Sequence, residues 1–472
     1  MSLFEQNMHV CPDAFKIGRL RFLRPPPAVI AVPESTTPRT PCLLPIELLV
    51  GITDDYGAHI DSFASLELRL RVVDCDDLLS SPIKHVELRV NGSDNGHYVF
   101  DTRRGNYHKV VASLRIAQSP DVLPKAVRFE LSVARTKAPP DKLSRVSQRM
   151  LEIIGEGEQV VLEGWEGQRY IFMSSLSGDV ELKKGRSLPN DPGKVQTNLR
   201  RIHTDLEHVI SIVERPGLNN STGQRLWDCA IGLCGFLSSR PDALYPSQPL
   251  PEAAESSMND RAADWGLAAK RSKRAPPRLV VLELGAGCAL ATLFAAVLLD
   301  KLKPDGSMTA ARARVVATDV KETVSTTLRE NLDYNHLSEH VDSKVLRWGP
   351  LDTSLIDFFI GRDGEDTDLT LLGTDVLYNP ESHQALLDTL TSFLNRPLSA
   401  GGGHQRAIIA YKARTEGDDH FFQLARDVHG LQVTLVWRWG EISVWSFHAA
   451  ASSSSSEAER RDRCVMSMAE LL

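Results

Sequence analysis

The chain has 472 residues, 42% of them hydrophobic and 24% charged, with a formal net charge of −7 at neutral pH. That length exceeds one ordinary domain, and the composition supplies real cores, so a soluble protein of more than one domain is expected. The acidic balance argues against a protein whose main task is to hold nucleic acid by its phosphates, and no direct nucleic-acid binding is expected.

The seven cysteines, Cys11, Cys42, Cys75, Cys229, Cys234, Cys288 and Cys464, are scattered, with no pair at the two-residue spacing of a zinc knuckle or redox motif. Small buried thiols in a reduced, cytoplasmic protein fit that usage. The start MSLFEQNMHV lacks the charged-then-apolar profile of a signal peptide. The Asn-x-Ser/Thr patterns at Asn91, Asn219 and Asn220 are therefore expected to stay unmodified.

Residues 1–136 read as a β-rich region without a legible role. Leu66–Val73 (LELRLRVV), Val86–Val90 (VELRV) and Val127–Val133 (VRFELSV) alternate apolar and polar residues, as half-buried antiparallel strands do. Pro25–Pro27 and Pro38–Pro45 suggest extended loops. A connecting region, 137–195, contains a solvated turn at Ser187–Gly193. Within the domain that follows, 196–447, the stretch 240–277 reads as an inserted linker ending in the basic run Lys270–Arg274 (KRSKR). Such a run is a wet linker or a nuclear-import signal, which adds the nucleus to the expected locations. The tail 448–472, with its serine tract Ser452–Ser456, is expected to be disordered.

Between the linker and the tail, strands and helices alternate. Leu279–Leu284, Arg314–Asp319, Lys344–Trp348, Leu369–Thr374 and Ala407–Tyr411 read as strands. The helices are Ala289–Leu299, Thr323–Tyr334, Ser382–Leu394 and His420–Val428. Gln432–Trp439 and Ile442–Phe447 follow as a hairpin. This order predicts an α/β fold, a Rossmann-like sheet with helices on both faces, preceded by the β-rich N-terminal domain. Val280–Leu299 has the length of a membrane span, but Glu283, Gly285 and Gly287 interrupt it, and a buried strand followed by a core helix explains it better; no membrane association is expected.

Gly285-Ala286-Gly287 lies directly between an apolar strand and an apolar helix, where glycines let the backbone turn sharply and approach a ligand. A dinucleotide fingerprint would want another glycine at Leu290. Asp319, ending the second strand, has the placement of a ribose-binding acid or of a helix cap. Trp348 is either a rim tryptophan or a neighbour of an adenine ring. Asp375–Glu381 (DVLYNPE) closes the fourth strand above the same carboxyl edge.

Taken in order, Leu226–Leu233 (LWDCAIGL), Leu282–Gly287 (LELGAG), Ala317–Asp319 (ATD), Leu346–Gly349 (LRWG) and Gly373–Glu381 (GTDVLYNPE) resemble the eukaryotic protein-lysine methyltransferases of methyltransferase family 16. The likeness spans roughly Arg201–Phe447. It implies a seven-strand methyltransferase sheet with S-adenosylmethionine as cofactor and a protein substrate presenting a lysine. By the same resemblance Trp227 lines the cofactor pocket, and Gly285, Ala286 and Gly287 pass under the methionine part. Asp319 holds the ribose, Trp348 flanks the adenine, and Thr374 contacts the cofactor. Asp375 and Tyr378 are the implied catalytic residues, facing the lysine. The family's third glycine is Ala289 here.

Three other readings remain open on sequence alone. His336–His340 (HLSEH) matches a zinc-protease signature, but the helix expected before it ends at Asn331–Asn335, so no metal is assigned. The domain could also be an inactive binding scaffold, or methylate a small-molecule amine.

Overall fold

The computed structural model describes residues 14–450 apart from 76–81, 91–95, 135–142, 156–160, 186–196, 205–207, 216–221, 251–277, 302–312, 362–366, 397–402 and 415–416. Asn91, Asn219, Asn220, Ser187–Gly193, the basic run Lys270–Arg274 and the serine tract of the tail lie outside the described residues.

The β-rich half folds as two sheets. One orders the strands Val86–Val90, Tyr107–Ile116, Cys42–Thr53, Lys16–Arg24, Arg169–Met173 and Leu162–Glu163. The other runs Val209–Glu214, Asn198–His203, Ser175–Ser177, Ala126–Val133, Val180–Lys184 and Val29–Val32; Ser65–Asp74 also pairs with Ala126–Val133 and carries His97–Asp101. Alternation puts Leu66, Leu68, Leu70 and Val72 on one buried face, where they meet Leu48, Val50 and Leu114 of the first sheet. The result is a sandwich over one core. The expected loop Pro38–Pro45 is part strand: Cys42–Thr53 includes Pro45. Only Leu49–Thr53 of it also pairs with Lys16–Arg24, so the imino nitrogen needs no partner at Pro45.

The third sheet has seven strands: β1 Arg278–Leu284, β2 Ala313–Asp319, β3 Val341–Val345, β4 Thr367–Thr374, β5 Gln405–Lys412, β6 Leu431–Trp439 and β7 Ile442–Ala449. Their order is β3-β2-β1-β4-β5-β7-β6. The first five run parallel, while β7 is antiparallel to both β5 and β6. The third strand begins earlier than its sequence suggested: Leu346–Trp348 has left the sheet, and polar Asp342–Lys344 lies within the strand instead. Helices Arg145–Ile154 and Thr353–Ile360 were not foreseen. His336–His340 is a turn between a helix and β3.

Helix Leu290–Lys301 (LATLFAAVLLDK) is apolar nearly all round because it is covered on every side. It rests on the sheet, packs against helix Asp228–Ser239, and is roofed by Ile210 and Ile212 of the sandwich. This is the segment that had the length of a membrane span. No helix among the described residues is long and apolar enough to cross a membrane. Helices Thr353–Ile360, His383–Leu394 and His420–Asp427 cover the other face.

Candidate active site

The strand order reverses between β1 and β4, the place where open α/β sheets bind ligands at their carboxyl edge. A cleft of about 590 Å3 opens there. Every residue singled out from the sequence lines it: Trp227, Gly285, Ala286, Gly287, Asp319, Trp348, Thr374, Asp375 and Tyr378. They come from five separate stretches that only the sheet brings together.

Gly285 and Gly287 have φ of +67° and +52°, left-handed values that favour glycine. A Cβ on Gly285 would come within 3.1 Å of the Trp348 ring and of Val376, so the missing side chain leaves room that the cleft uses. Ala289, at φ +64°, adopts the same region with a Cβ present and carries the strain a glycine would avoid. Asp319 fastens the turn from β2. Its Oδ2 accepts the Gly287 N–H at 2.8 Å and its Oδ1 accepts the Val320 N–H at 2.7 Å. Burial raises its carboxyl above the usual range, and these two backbone donors pull the other way.

Trp227 caps helix Asp228–Ser239, and its indole Nε1 donates to the Thr222 carbonyl at 2.9 Å. Trp348 packs on the edge of the core that includes Leu346 and Val376. Asp375 is buried and sits at φ +57°, a conformation Asp tolerates better than most residues. Tyr378, three residues on, is 47% exposed at the mouth.

Four residues of the site were not assigned a part in it from the sequence. Glu283, the acid inside the apolar strand, is buried below the glycine turn and accepts from the backbone N–H of Thr292 at 2.9 Å and from its hydroxyl. Burial pushes its carboxyl up to about 7. A charge in an otherwise apolar strand was its signal. Arg414, just past β5, holds both oxygens of Asp375, with Nε to Oδ1 at 3.0 Å and Nη2 to Oδ2. Asp55 and Tyr56 reach it from the sandwich, a contact across 359 positions that no local pattern announces.

The sheet order, the glycine turn after β1 and the acid closing β2 define the class: a class I methyltransferase domain, whose cofactor is S-adenosylmethionine. The cradle that a Cβ on Gly285 would fill, the half-buried Asp319 and the Trp348 ring fit such a ligand. Residues 206–428 match the model of the family described as lysine methyltransferase.

No curated protein matches the chain. Solved structures similar to it include the S-adenosylmethionine-dependent methyltransferase SibL in its apo form, at 15% identity and a TM-score of 0.23 over 36% of this chain and 50% of that one. The O-methyltransferase from Bacillus cereus in complex with SAH shows 14% identity and a TM-score of 0.24, over 36% and 74% of the two chains. The N-terminal domain of human METTL16 in complex with SAH shows 10% identity and a TM-score of 0.25, over 36% and 62%. This chain thus spans about half the length of the first of these. Scores this low leave activity and substrate to be argued from the site itself.

Proposed function

We propose that this protein transfers the methyl group of S-adenosylmethionine to a lysine amine presented by another protein. The observation that carries the reading is that buried Asp375 and, at the mouth, Tyr378 line the same cleft as the Gly285 turn and Trp227. The description of the matching family supports a lysine acceptor.

Gly285, Ala286 and Gly287 would pass under the methionine part of the cofactor, with Trp227 and Thr374 at its flanks. Asp319 would take the ribose with the acceptor capacity left after the Gly287 and Val320 N–H groups and the Thr323 side chain. Trp348 would lie beside the adenine. When bound, the cofactor supplies an electrophilic methyl group on a sulfonium, so the protein's work is mainly positioning. A lysine ammonium has no lone pair and must lose a proton before it attacks. Asp375 would orient the amine by accepting its hydrogen bond, and water at the mouth, beside the exposed Tyr378 side chain, would carry the proton away.

The test is methylation of a cell extract with methyl-labelled S-adenosylmethionine, comparing wild type with Gly285→Arg. A labelled protein band that disappears in the variant is the expected result. Label confined to small molecules would favour a small amine as acceptor, and the absence of cofactor binding in calorimetry would favour a scaffold. Asp375→Ala that binds the cofactor yet methylates at the full rate would sink the role given to Asp375.

A further inference from the structure

The sandwich reaches the rim of the cleft through the turn Asp54–Ala58, which Asp54 closes by accepting the Ala58 N–H at 2.8 Å. Buried Asp55 accepts from Arg414 Nη2 at 2.7 Å, and the same guanidinium holds Asp375. Tyr56 stands perpendicular to Trp227 with 5.6 Å between ring centroids. The Arg414 guanidinium lies 4.7 Å from the Tyr56 ring and 5.1 Å from the Trp227 ring. Arg225, which lines the cleft, donates to the Tyr56 carbonyl at 2.7 Å. Arg414 is therefore held by two carboxylates and two aromatic faces, and half of that cage belongs to the sandwich.

The charges around Asp375 come from every element packed there. Asp228, on helix Asp228–Ser239, pairs with Arg19 of the sandwich at 2.8 Å and with Lys412 of β5 at 2.9 Å. Lys412 also lies 3.6 Å from Asp55 and 3.3 Å from Glu441. Beside them the Cys229 thiol is kept neutral by burial. The buried carboxylates of Asp55, Asp228 and Asp375 thus face Arg19, Lys412 and Arg414 charge for charge, with Glu441 beside Lys412 and buried Asp418 accepting the Arg414 backbone N–H at 2.8 Å. Burial works against the Asp55 charge, yet Arg414, Arg19 and Lys412 outweigh it and hold that carboxyl well below the usual range.

A lone buried carboxylate at Asp375 would capture the acceptor as ammonium, the form that cannot attack. Paired with Arg414 it still has lone pairs to accept a hydrogen bond but little net charge to favour the cation. We propose that the sandwich completes the acceptor site: Asp55 is a positioning residue that holds Arg414 on Asp375, so that the site takes the uncharged amine. The inference rests on the reading of Asp375 as the residue that meets the acceptor.

The experiment follows initial rates of labelled-methyl incorporation into extract protein as a function of pH, at limiting and at saturating extract. Wild type is compared with Asp55→Asn, Asp55→Glu, Arg414→Met and the Asp55→Asn/Arg414→Met double variant. Asp55→Asn should lose tenfold or more of its rate at limiting extract and shift the pH at which its rate rises. Its affinity for S-adenosylmethionine should stay within twofold of wild type. Asp55→Glu, which keeps the charge and holds the fold if Asn does not, should recover part of the rate. On the Arg414→Met background the Asp55→Asn change should add little. A wild-type rate and pH profile in a folded, cofactor-binding Asp55→Asn would overturn the proposal, as would an equal loss on both backgrounds. A wild type that binds cofactor but labels no protein would instead count against the proposed function, and the two failures are distinct.

Discussion

Asn331 pairs with the main chain of Val213 as a neighbouring strand would, accepting its N–H at 2.7 Å and donating to its carbonyl at 3.4 Å. Asn335 repeats the pattern with Ser211, at 2.8 Å in each direction. Four residues of helix rise about 6 Å and two residues of strand about 6.6 Å, so an i, i+4 pair of asparagines matches the period of a strand edge. Val209–Glu214 is the edge strand of the sandwich's larger sheet, and a helix of the methyltransferase domain closes it with side chains instead of a further strand.

Asn331→Leu keeps the volume and removes both hydrogen bonds, leaving a buried N–H and carbonyl on Val213. The expected cost is about 1–3 kcal/mol, read as a lower urea midpoint with an unchanged slope. Asn331 does not line the cleft, so the affinity for S-adenosylmethionine should hold within twofold. An unchanged midpoint would show that water replaces the asparagine.

Glu283 makes stability depend on pH in a definite direction. Its carboxyl rises from an ordinary value of 4.5 to about 7 on folding, because burial disfavours the charge. Between those values the folded state binds more protons than the unfolded one. The carboxyl therefore contributes nothing below pH 4.5, becomes more destabilising as pH rises, and levels off above pH 7. Glu283→Gln keeps an acceptor for Thr292 and removes the charge. Its stability relative to wild type should climb by up to about 3 kcal/mol between pH 4.5 and 7 in cofactor-free protein. Thermal melts of both proteins at several pH values measure the difference, and a difference flat in pH would refute this account.

The two glycines of the turn should respond differently to alanine. At Gly285 the new Cβ meets the Trp348 ring and Val376 at 3.1 Å, on top of a left-handed backbone. At Gly287 its nearest neighbour is Gly223 at 3.6 Å, an ordinary contact, so only the backbone cost of about 1–2 kcal/mol applies. Gly285→Ala should therefore lower the melting temperature of the cofactor-free protein more than Gly287→Ala does. Equal shifts would mean that Trp348 moves freely.

The parallel sheet and its cleft were legible because their signals are local. Val280–Leu284 is apolar but for Glu283, the glycines follow it at once, and Gly373–Glu381 carries its motif in nine consecutive residues. β3 was misplaced because VDSKV has apolar residues only at its ends, whereas Leu346 and Trp348 beyond it are apolar for reasons of packing outside the sheet. The sandwich strands showed by alternation, but what they do at the cleft did not. The turn Asp54–Ala58 looks like any solvated loop, and its meaning lies in Arg414, which only the tertiary fold brings to it.

Asp319 provides the sharpest test of the cofactor site. Its two oxygens accept from two different backbone donors, Gly287 and Val320, so the residue is committed as an acceptor on both sides. Asparagine has nearly the same shape but would turn an NH2 group toward one of those N–H groups, setting donor against donor. Asp319→Asn should therefore behave no better than Asp319→Ala, although it is the closer substitution. If the carboxylate also takes ribose hydroxyls, the loss of one or more charge-assisted hydrogen bonds, about 1.5–3 kcal/mol, weakens S-adenosylmethionine binding by roughly 10–100-fold. Calorimetric titration of both variants measures this. Near-wild-type affinity in Asp319→Asn would place the ribose elsewhere and leave Asp319 as a clamp on the glycine turn alone.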